Sequence, residues 1–260
     1  MSSVLSHRSD GDGPRVVLVH GFTQTAASWA PLVPALAERF ELVRVDAPGH
    51  GGSAGFAPRD MGAAAAALGE VGGPAAYVGY SMGGRMCLRL AADQPDLVRA
   101  LVLVGASPGL ADGAERAARM AADEALASAI ERDGVAAFLD HWLAQPLFAT
   151  LPAEAAGRAE RLANPPKGLA AALRLLGTGA QTPLWDRLDG LGMPVLLIAG
   201  ALDAKFADLA GRMAAAIGPG ARVELVEGAG HAAHLERPAE VAGLVARFLQ
   251  THLHATGEGP

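Results

Sequence analysis

Short apolar runs recur along the chain at residues 16–19, 42–45, 75–78, 100–104, 195–199 and 223–226, and each gives way to a turn marked by Gly, Asp or Pro. Runs without strict polar alternation fit strands covered on both faces, the condition of a parallel sheet. Between them the apolar positions shift to helical spacing over residues 29–39, 61–70, 82–93, 205–217 and 238–252. Strand and helix in alternation predict an α/β fold, a doubly wound and mostly parallel sheet with right-handed crossovers. The alanine run at residues 63–67 reads as helix propensity and close packing.

One interval breaks this rhythm. Residues 108–182 carry Ala, Arg, Glu and Leu at helical spacing with no clear strand, punctuated by Pro165-Pro166 and Gly177-Thr178-Gly179. The interval reads as a helical cap inserted after the strand at 100–104 and lying over the carboxyl edge of the sheet. That divides the chain into a core of residues 1–107 and 183–260 and a cap of residues 108–182. No internal repeat is evident.

With 260 residues, 51% of them apolar, the chain can bury a core of full size, and its length suits one α/β domain carrying an insertion. A net charge of -6 provides no global field for a polyanion, so nucleic acid is not an expected partner, while a local arginine cluster can still hold a small acid. The single cysteine, Cys87, can close no intrachain disulfide, and its place inside the apolar helix at 82–93 suits a buried thiol in a reducing compartment. Residues 1–13 lack the apolar centre of a signal peptide, and no apolar stretch nears the roughly 20 residues of a membrane span. The expectation is a cytoplasmic protein without a membrane partner, a monomer or small homo-oligomer. Residues 251–260 are polar and read as a frayed tail.

The chemistry gathers at the ends of the predicted strands. Gly79-Tyr80-Ser81-Met82-Gly83 follows the run at 75–78 directly and opens the helix at 82–93. Gly-x-Ser-x-Gly between a strand and a helix puts a serine on a tight, strained turn, a nucleophile elbow whose small neighbours let backbone and substrate come close. A base and an orienting acid should then follow in the order acid, histidine, at the ends of later strands. Asp203 follows the run at 195–199 through Gly200-Ala201-Leu202, and His231 follows the run at 223–226 through Glu227-Gly228-Ala229-Gly230. A neutral imidazole can take the serine proton while a carboxylate on its other nitrogen fixes the tautomer and stabilises the imidazolium. The candidate triad is Ser81, Asp203 and His231. Asp203 could instead be only the N-cap of the helix beginning near Lys205, with Asp186 and Asp208 as rival acids. His234 lies three residues past His231, but no third ligand stands at metal spacing, so neither metal nor cofactor is expected. At the end of the first run, the small glycine of His20-Gly21-Phe22 lets the loop fold back, so that the Phe22 and Met82 amides form a candidate oxyanion hole. The stretch from Asp46 to Ser53 holds the equivalent place after the next run and reads as turn architecture.

With these motifs in order, and His231-Ala232-Ala233-His234-Leu235-Glu236-Arg237-Pro238 closing the series, the chain resembles the α/β-hydrolase superfamily over nearly its whole length. Within it, four segments resemble the 2-succinyl-6-hydroxy-2,4-cyclohexadiene-1-carboxylate synthases of menaquinone biosynthesis. They are Gly79-Tyr80-Ser81-Met82-Gly83-Gly84-Arg85, Trp142-Leu143-Ala144-Gln145-Pro146-Leu147-Phe148, Gly177-Thr178-Gly179-Ala180-Gln181 and Gly200-Ala201-Leu202-Asp203-Ala204-Lys205-Phe206.

The resemblance implies a lyase that uses the triad to abstract a proton from a small anionic cyclohexene carboxylate and expels pyruvate, with no acyl-enzyme and no metal. It also implies substrate-binding roles for Arg119 and Arg161, with Arg116, Arg158 and Arg174 as rivals in the same helices. Arg85 lies one turn into the helix behind the nucleophile, where a substrate bearing several carboxylates needs a cation and a neutral ester does not. Trp142 and Phe148 suit a cap wall over a cyclic substrate, or core packing, and Tyr80 could add a hydroxyl to the site. A carboxylesterase or carbon-carbon bond hydrolase would use the same triad, but the arginines would then stand as unpaired charges in the cleft. A non-catalytic hydrolase-like binding protein has no need of the intact triad.

Overall fold

The structure, a computed structural model, describes residues 4–253. Its strands are β1 His7–Asp10, β2 Arg15–Val19, β3 Glu41–Val45, β4 Ala75–Tyr80, β5 Val98–Val104, β6 Val195–Gly200 and β7 Ala221–Val226. They form one sheet in the order β1-β3-β2-β4-β5-β6-β7, parallel from β3 to β7, with β1 antiparallel at the edge. The chain leaves β2 toward β3 on one side and then enters β4 on the other, so β2 and β4 flank the point where the winding reverses. In sheets of this kind the crevice for a ligand opens there, outside the carboxyl ends of the strands.

Successive side chains of a strand point to opposite faces, and both faces are filled. Val17 and Val19 of β2 and Tyr77 of β4 pack with helices α2 (Met61–Gly72), α3 (Met82–Asp93) and α7 (Ala204–Ile217). Val16, Leu18, Ala76 and Val78 pack on the other face with Trp29, Leu32, the single turn α8 (Ala233–Glu236) and the last helix, α9 (Pro238–Leu253). The alanines of residues 63–67 do pack closely, Ala64, Ala65 and Ala67 being buried in the same cluster as α3. Asp60 caps α2 by accepting the Ala63 N–H at 2.8 Å.

Between β5 and β6 the described chain contains helices and no strand. Helix α4 (Gly113–Leu143) is broken at Gly134, where φ is 83° and ψ 168°, values that favour glycine. Helices α5 (Arg158–Leu162) and α6 (Pro166–Leu176) follow. Ala127, Ile130, Phe138 and Leu139 of α4 pack with Leu169, Ala170 and Leu173 of α6 in a cluster separate from the two that line the sheet. At about 1.5–3 kcal/mol for each large apolar side chain fully buried, that cluster alone is enough to hold the two helices against each other.

Three expectations from the sequence need correction. The helix expected over residues 29–39 is a 3₁₀ turn, Ala26–Leu32, followed by a single α-turn, α1 (Val33–Leu36), because Pro31 and Pro34 each remove a backbone donor. The polar start contributes β1, whose strand is too short and too polar to carry an apolar signature. The tail expected at residues 251–260 begins as the last turn of α9, since Leu253 is buried against the sheet, and residues 254–260 lie outside those described. Among the described residues no helix is long and apolar enough to cross a membrane.

Candidate active site

Ser81 sits at φ 48° and ψ -108°, a positive φ that a side chain adopts only under strain, between the last residue of β4 and the first of α3. Its N–H donates to the Val104 carbonyl of β5 at 2.9 Å, which anchors the elbow to the neighbouring strand. The three small neighbours are required. A Cβ on Gly79 would lie 2.5 Å from the Gly84 Cα, one on Gly83 2.2 Å from the Val19 carbonyl oxygen, and one on Gly84 2.6 Å from the Ala106 Cβ.

The triad side chains converge from three strand ends. His231 Nδ1 lies 2.8 Å from Asp203 Oδ2, and its Nε2 lies 3.3 Å from Ser81 Oγ. With the Nδ1 proton donated to the carboxylate, Nε2 is left as an acceptor facing the serine hydroxyl. Asp203 also caps α7, its Oδ1 accepting the Phe206 N–H at 3.2 Å, so the cap bond and the contact with His231 use different oxygens. Close approach holds the loop in place: a Cβ on Gly200 would lie 2.1 Å from the Gly230 carbonyl oxygen, and one on Gly105, at φ 55°, 3.1 Å from the His231 ring. The rival acids are elsewhere. Asp186 is exposed in the turn Trp185–Arg187, and Asp208 faces Arg212 at 3.6 Å.

The loop after β2 is fixed by buried neutral imidazoles. His20 Nε2 accepts the Ala47 N–H at 2.9 Å, and His50 Nε2 accepts the Thr23 N–H at 3.1 Å. Burial pushes the ionisation of His20 down to about 4 and that of His50 to about 3, so both keep the acceptor lone pair at neutral pH. Asp46 accepts from the Ala26 N–H at 2.8 Å and from the Gly52 N–H at 2.9 Å, which makes the loop from Asp46 to Ser53 a scaffold for the β2 loop. Phe22 and Met82 both line the cleft beside Ser81. Met82 opens α3, where the first-turn N–H groups have no intrahelical acceptor and carry the positive end of the helix dipole.

The cleft runs from Ser81 and His231 to the helices between β5 and β6. Tyr80, Arg85, Arg119, Trp142, Phe148 and Arg161, all singled out from the sequence, lie along it. Arg85 is buried, and its Nη1 donates to Gln181 Oε1 at 2.9 Å. Desolvation, and then the like charge of Arg119, lower its ionisation to about 10, which leaves it a cation at neutral pH. Arg119 Nε donates to Asp123 Oδ1 at 2.8 Å, one helical turn on. Asp123 is itself buried, and its Oδ2 has no partner.

Arg161 is buried too. It donates from Nε to the Ala156 carbonyl at 2.7 Å and from Nη1 to Thr23 Oγ1 and, at 3.5 Å, the Phe22 carbonyl. The other arginines of these helices are spent on local pairs: Arg116 on the Leu110 and Ala111 carbonyls, Arg158 on Asp140, and Arg174 on Glu124 and Glu131. None of them lines the cleft.

The aromatic residues form one wall. Trp142 packs edge-on against Phe22, ring centroids 5.3 Å apart, and against Phe148 at 5.8 Å, so they both pack and line the cleft. Tyr80 lies 5.4 Å from the His231 ring and 4.2 Å from His234, and burial pushes its phenol ionisation up. His234 is buried with neither ring nitrogen partnered, its ionisation pushed down to about 3 by burial, and no group of three potential metal ligands occurs among the described residues.

Gln181, Asp123, Lys205 and Phe206 belong to the site and were not expected in it. Asp123 was readable, since an acid four residues after Arg119 is a helical ion-pair spacing. Gln181 and the cleft-lining Lys205 and Phe206 sit inside quoted motifs, with no spacing rule to give them roles.

The model of the alpha/beta hydrolase family matches residues 16–244. A protein of Klebsiella pneumoniae (strain 342), named 2-succinyl-6-hydroxy-2,4-cyclohexadiene-1-carboxylate synthase, is 33% identical over 91% of this chain and 94% of its own. The solved structure of MenH from S. aureus superimposes with a TM-score of 0.90 at 28% identity, covering 97% of this chain and 100% of that one. A thermophilic esterase from Thermogutta terrifontis superimposes with a TM-score of 0.82 at 24% identity over 95% of this chain and 94% of its own, a likeness of fold.

Proposed function

The chain belongs to the alpha/beta hydrolase family and, within it, to the 2-succinyl-6-hydroxy-2,4-cyclohexadiene-1-carboxylate synthases, and we propose that Ser81, His231 and Asp203 carry its reaction in the cleft beneath residues 108–182. The reaction is a carbon-oxygen lyase step of menaquinone biosynthesis. Pyruvate is eliminated from 2-succinyl-5-enolpyruvyl-6-hydroxy-3-cyclohexene-1-carboxylate to leave the cyclohexadiene.

His231 takes the Ser81 hydroxyl proton, and the serine oxygen removes the ring proton next to the succinyl ketone. The Phe22 and Met82 amides hold the enolate oxygen that forms. Electrons return through the ring double bond, which moves to give the 2,4-diene as the carbon-oxygen bond to the enolpyruvyl group breaks. The departing enolate takes up a proton and becomes pyruvate, so the triad ends as it began. Asp203 holds the His231 tautomer throughout.

Arg85, Arg119 and Arg161 pair with substrate carboxylates, Trp142 and Phe148 wall the ring, and Tyr80 orients it. Residues 108–182 act as the cap and the remainder as the core. The proposed setting is the cytoplasm, with the protein a monomer or small homo-oligomer.

The observation that supports this reading most directly is Arg85: a desolvated cation in the helix that carries the nucleophile, facing the cleft and bonded only to a neutral amide. An ester hydrolase acting on neutral substrates gains nothing from that charge and bears its desolvation cost. The test is a stopped assay with the substrate generated in situ, following pyruvate and diene absorbance together. Stoichiometric appearance of both, lost in Ser81→Ala, is expected. No pyruvate, with ready cleavage of short aryl esters, would move the protein to the serine hydrolases.

A further inference from the structure

Four cations line the cleft: Arg85, Arg119, Arg161 and Lys205. Their partners differ. Arg85 is bonded to neutral Gln181, and Arg161 to two carbonyls and a hydroxyl, so each retains its charge for a ligand. Arg119 is already paired with the Asp123 carboxylate at 2.8 Å. Asp203, the acid nearest Lys205 in sequence, is committed to His231 and to the Phe206 amide.

Lys205 is exposed at the mouth of the cleft, in the first turn of α7, and no carboxylate among the described residues pairs with it. Its ammonium lies 5.8 Å from the centroid of the Phe206 ring, and that ring packs at 4.4 Å on His231. Lys205, Phe206 and His231 all line the cleft, so the ammonium and the imidazole flank the same aromatic ring.

The substrate of the proposed reaction carries three carboxylates, on the ring, the succinyl arm and the enolpyruvyl ether. Arg85 and Arg161 meet them with no carboxylate bonded to either, while Arg119 shares its charge with Asp123. We propose that Lys205 supplements these arginines: a specificity-determining residue that binds the outermost carboxylate at the mouth and so distinguishes the tricarboxylate from smaller acids. This rests on the lyase reading above. An exposed lysine acting as a point charge contributes to binding in ground state and transition state alike, so its signature is in KM and not in kcat.

The experiment compares wild-type enzyme with Lys205→Gln and Lys205→Arg in the pyruvate-release assay, at low salt and at 0.5 M salt, and with a substrate analogue whose succinyl carboxylate is converted to its methyl amide. The expectation is a rise in KM of about fivefold in Lys205→Gln, the size of a partly exposed ion pair, with kcat within twofold and near-complete rescue by Lys205→Arg. High salt should shrink the difference. With the analogue, wild type and Lys205→Gln should become equal if the succinyl arm is the outermost. Retention of the full fivefold difference there moves the contact to another carboxylate and leaves the lysine's role intact. Unchanged KM in Lys205→Gln at low salt, with the wild type fully active, overturns the proposal without touching the lyase reading. A wild type that releases no pyruvate removes the lyase reading first.

Discussion

The two sides of the cleft are built on different physical terms. On the sheet side, backbone sets every position: Ser81 is held by a strand-to-helix turn at positive φ, Asp203 by its own cap bond to Phe206, and His231 by the glycines it abuts. On the helical side, long side chains reach in from α4 and α5 and are steadied by one partner or a few, Arg119 by Asp123 and Arg161 by the Thr23 loop. The fold beneath the sheet side is shared with an esterase, and one fold can host many substrates. The helical side, together with Arg85 of α3, supplies the charge to which the proposed selectivity is assigned. Chemistry and selectivity are therefore separable by mutation, and the separation can be tested at several strengths.

The largest effect should come from the sheet side. Ser81→Ala should lower pyruvate release by about a thousandfold or more and leave the melting temperature almost unmoved, because the hydroxyl makes only the 3.3 Å contact with His231. Next is Arg85→Ala, which should reduce kcat/KM for the tricarboxylate by about a hundredfold while short neutral aryl esters are cleaved nearly as before. Equal loss of both activities would break the comparison by making Arg85 part of the common chemistry. Asp123→Asn tests whether a partner steadies the helical side. Loosening Arg119 should cost roughly tenfold in kcat/KM with kcat the smaller share, and Asp123→Glu should restore part of it if position matters and charge alone does not. Arg174→Ala is the smallest. Its pairs with Glu124 and Glu131 lie at the surface, away from the cleft, so kcat/KM should stay within roughly twofold.

Acid should act on the sheet side first. His20, His50 and His234 are held neutral in the folded protein, with ionisation lowered to about 4, 3 and 3, whereas the unfolded chain protonates them near 6.5. Unfolding thus takes up protons between about pH 6.5 and 3, and stability falls as pH drops through that window. Three such groups give a slope approaching 4 kcal/mol per pH unit near pH 5, at about 1.4 kcal/mol each. Urea midpoints that stay flat from pH 7 to 5 would contradict the buried neutral state of all three.

The sequence exposes the two sides unequally as well. The strands, the elbow and the order of acid and histidine are legible because unbroken apolar runs and strand-end turns leave local signatures at residues such as Gly79, Gly83 and Gly200. The helical side is not, because an arginine pointing inward and one pointing outward share the same helical periodicity. Arg161 and Arg158 stand three residues apart in one short helix, yet the first is buried against Thr23 and the second pairs with exposed Asp140. Only the fold of the β2 loop beneath decides between them. The 3₁₀ turn at Ala26–Leu32 was missed for a different reason: its apolar spacing suits a helix, and the two prolines outweigh that spacing.

Cys87 turns the core into an instrument. It lies in α3 two residues beyond Arg85, fully buried and with its thiol ionisation pushed up, in the helix that the elbow opens. An aromatic disulfide reagent can reach that sulfur only when the helix leaves the sheet. Labelling at one site per chain therefore times the opening of the element that carries the nucleophile, with no probe added to the protein. The labelling rate of Ser81→Gly against wild type reports directly whether the strain at residue 81 loosens its own helix.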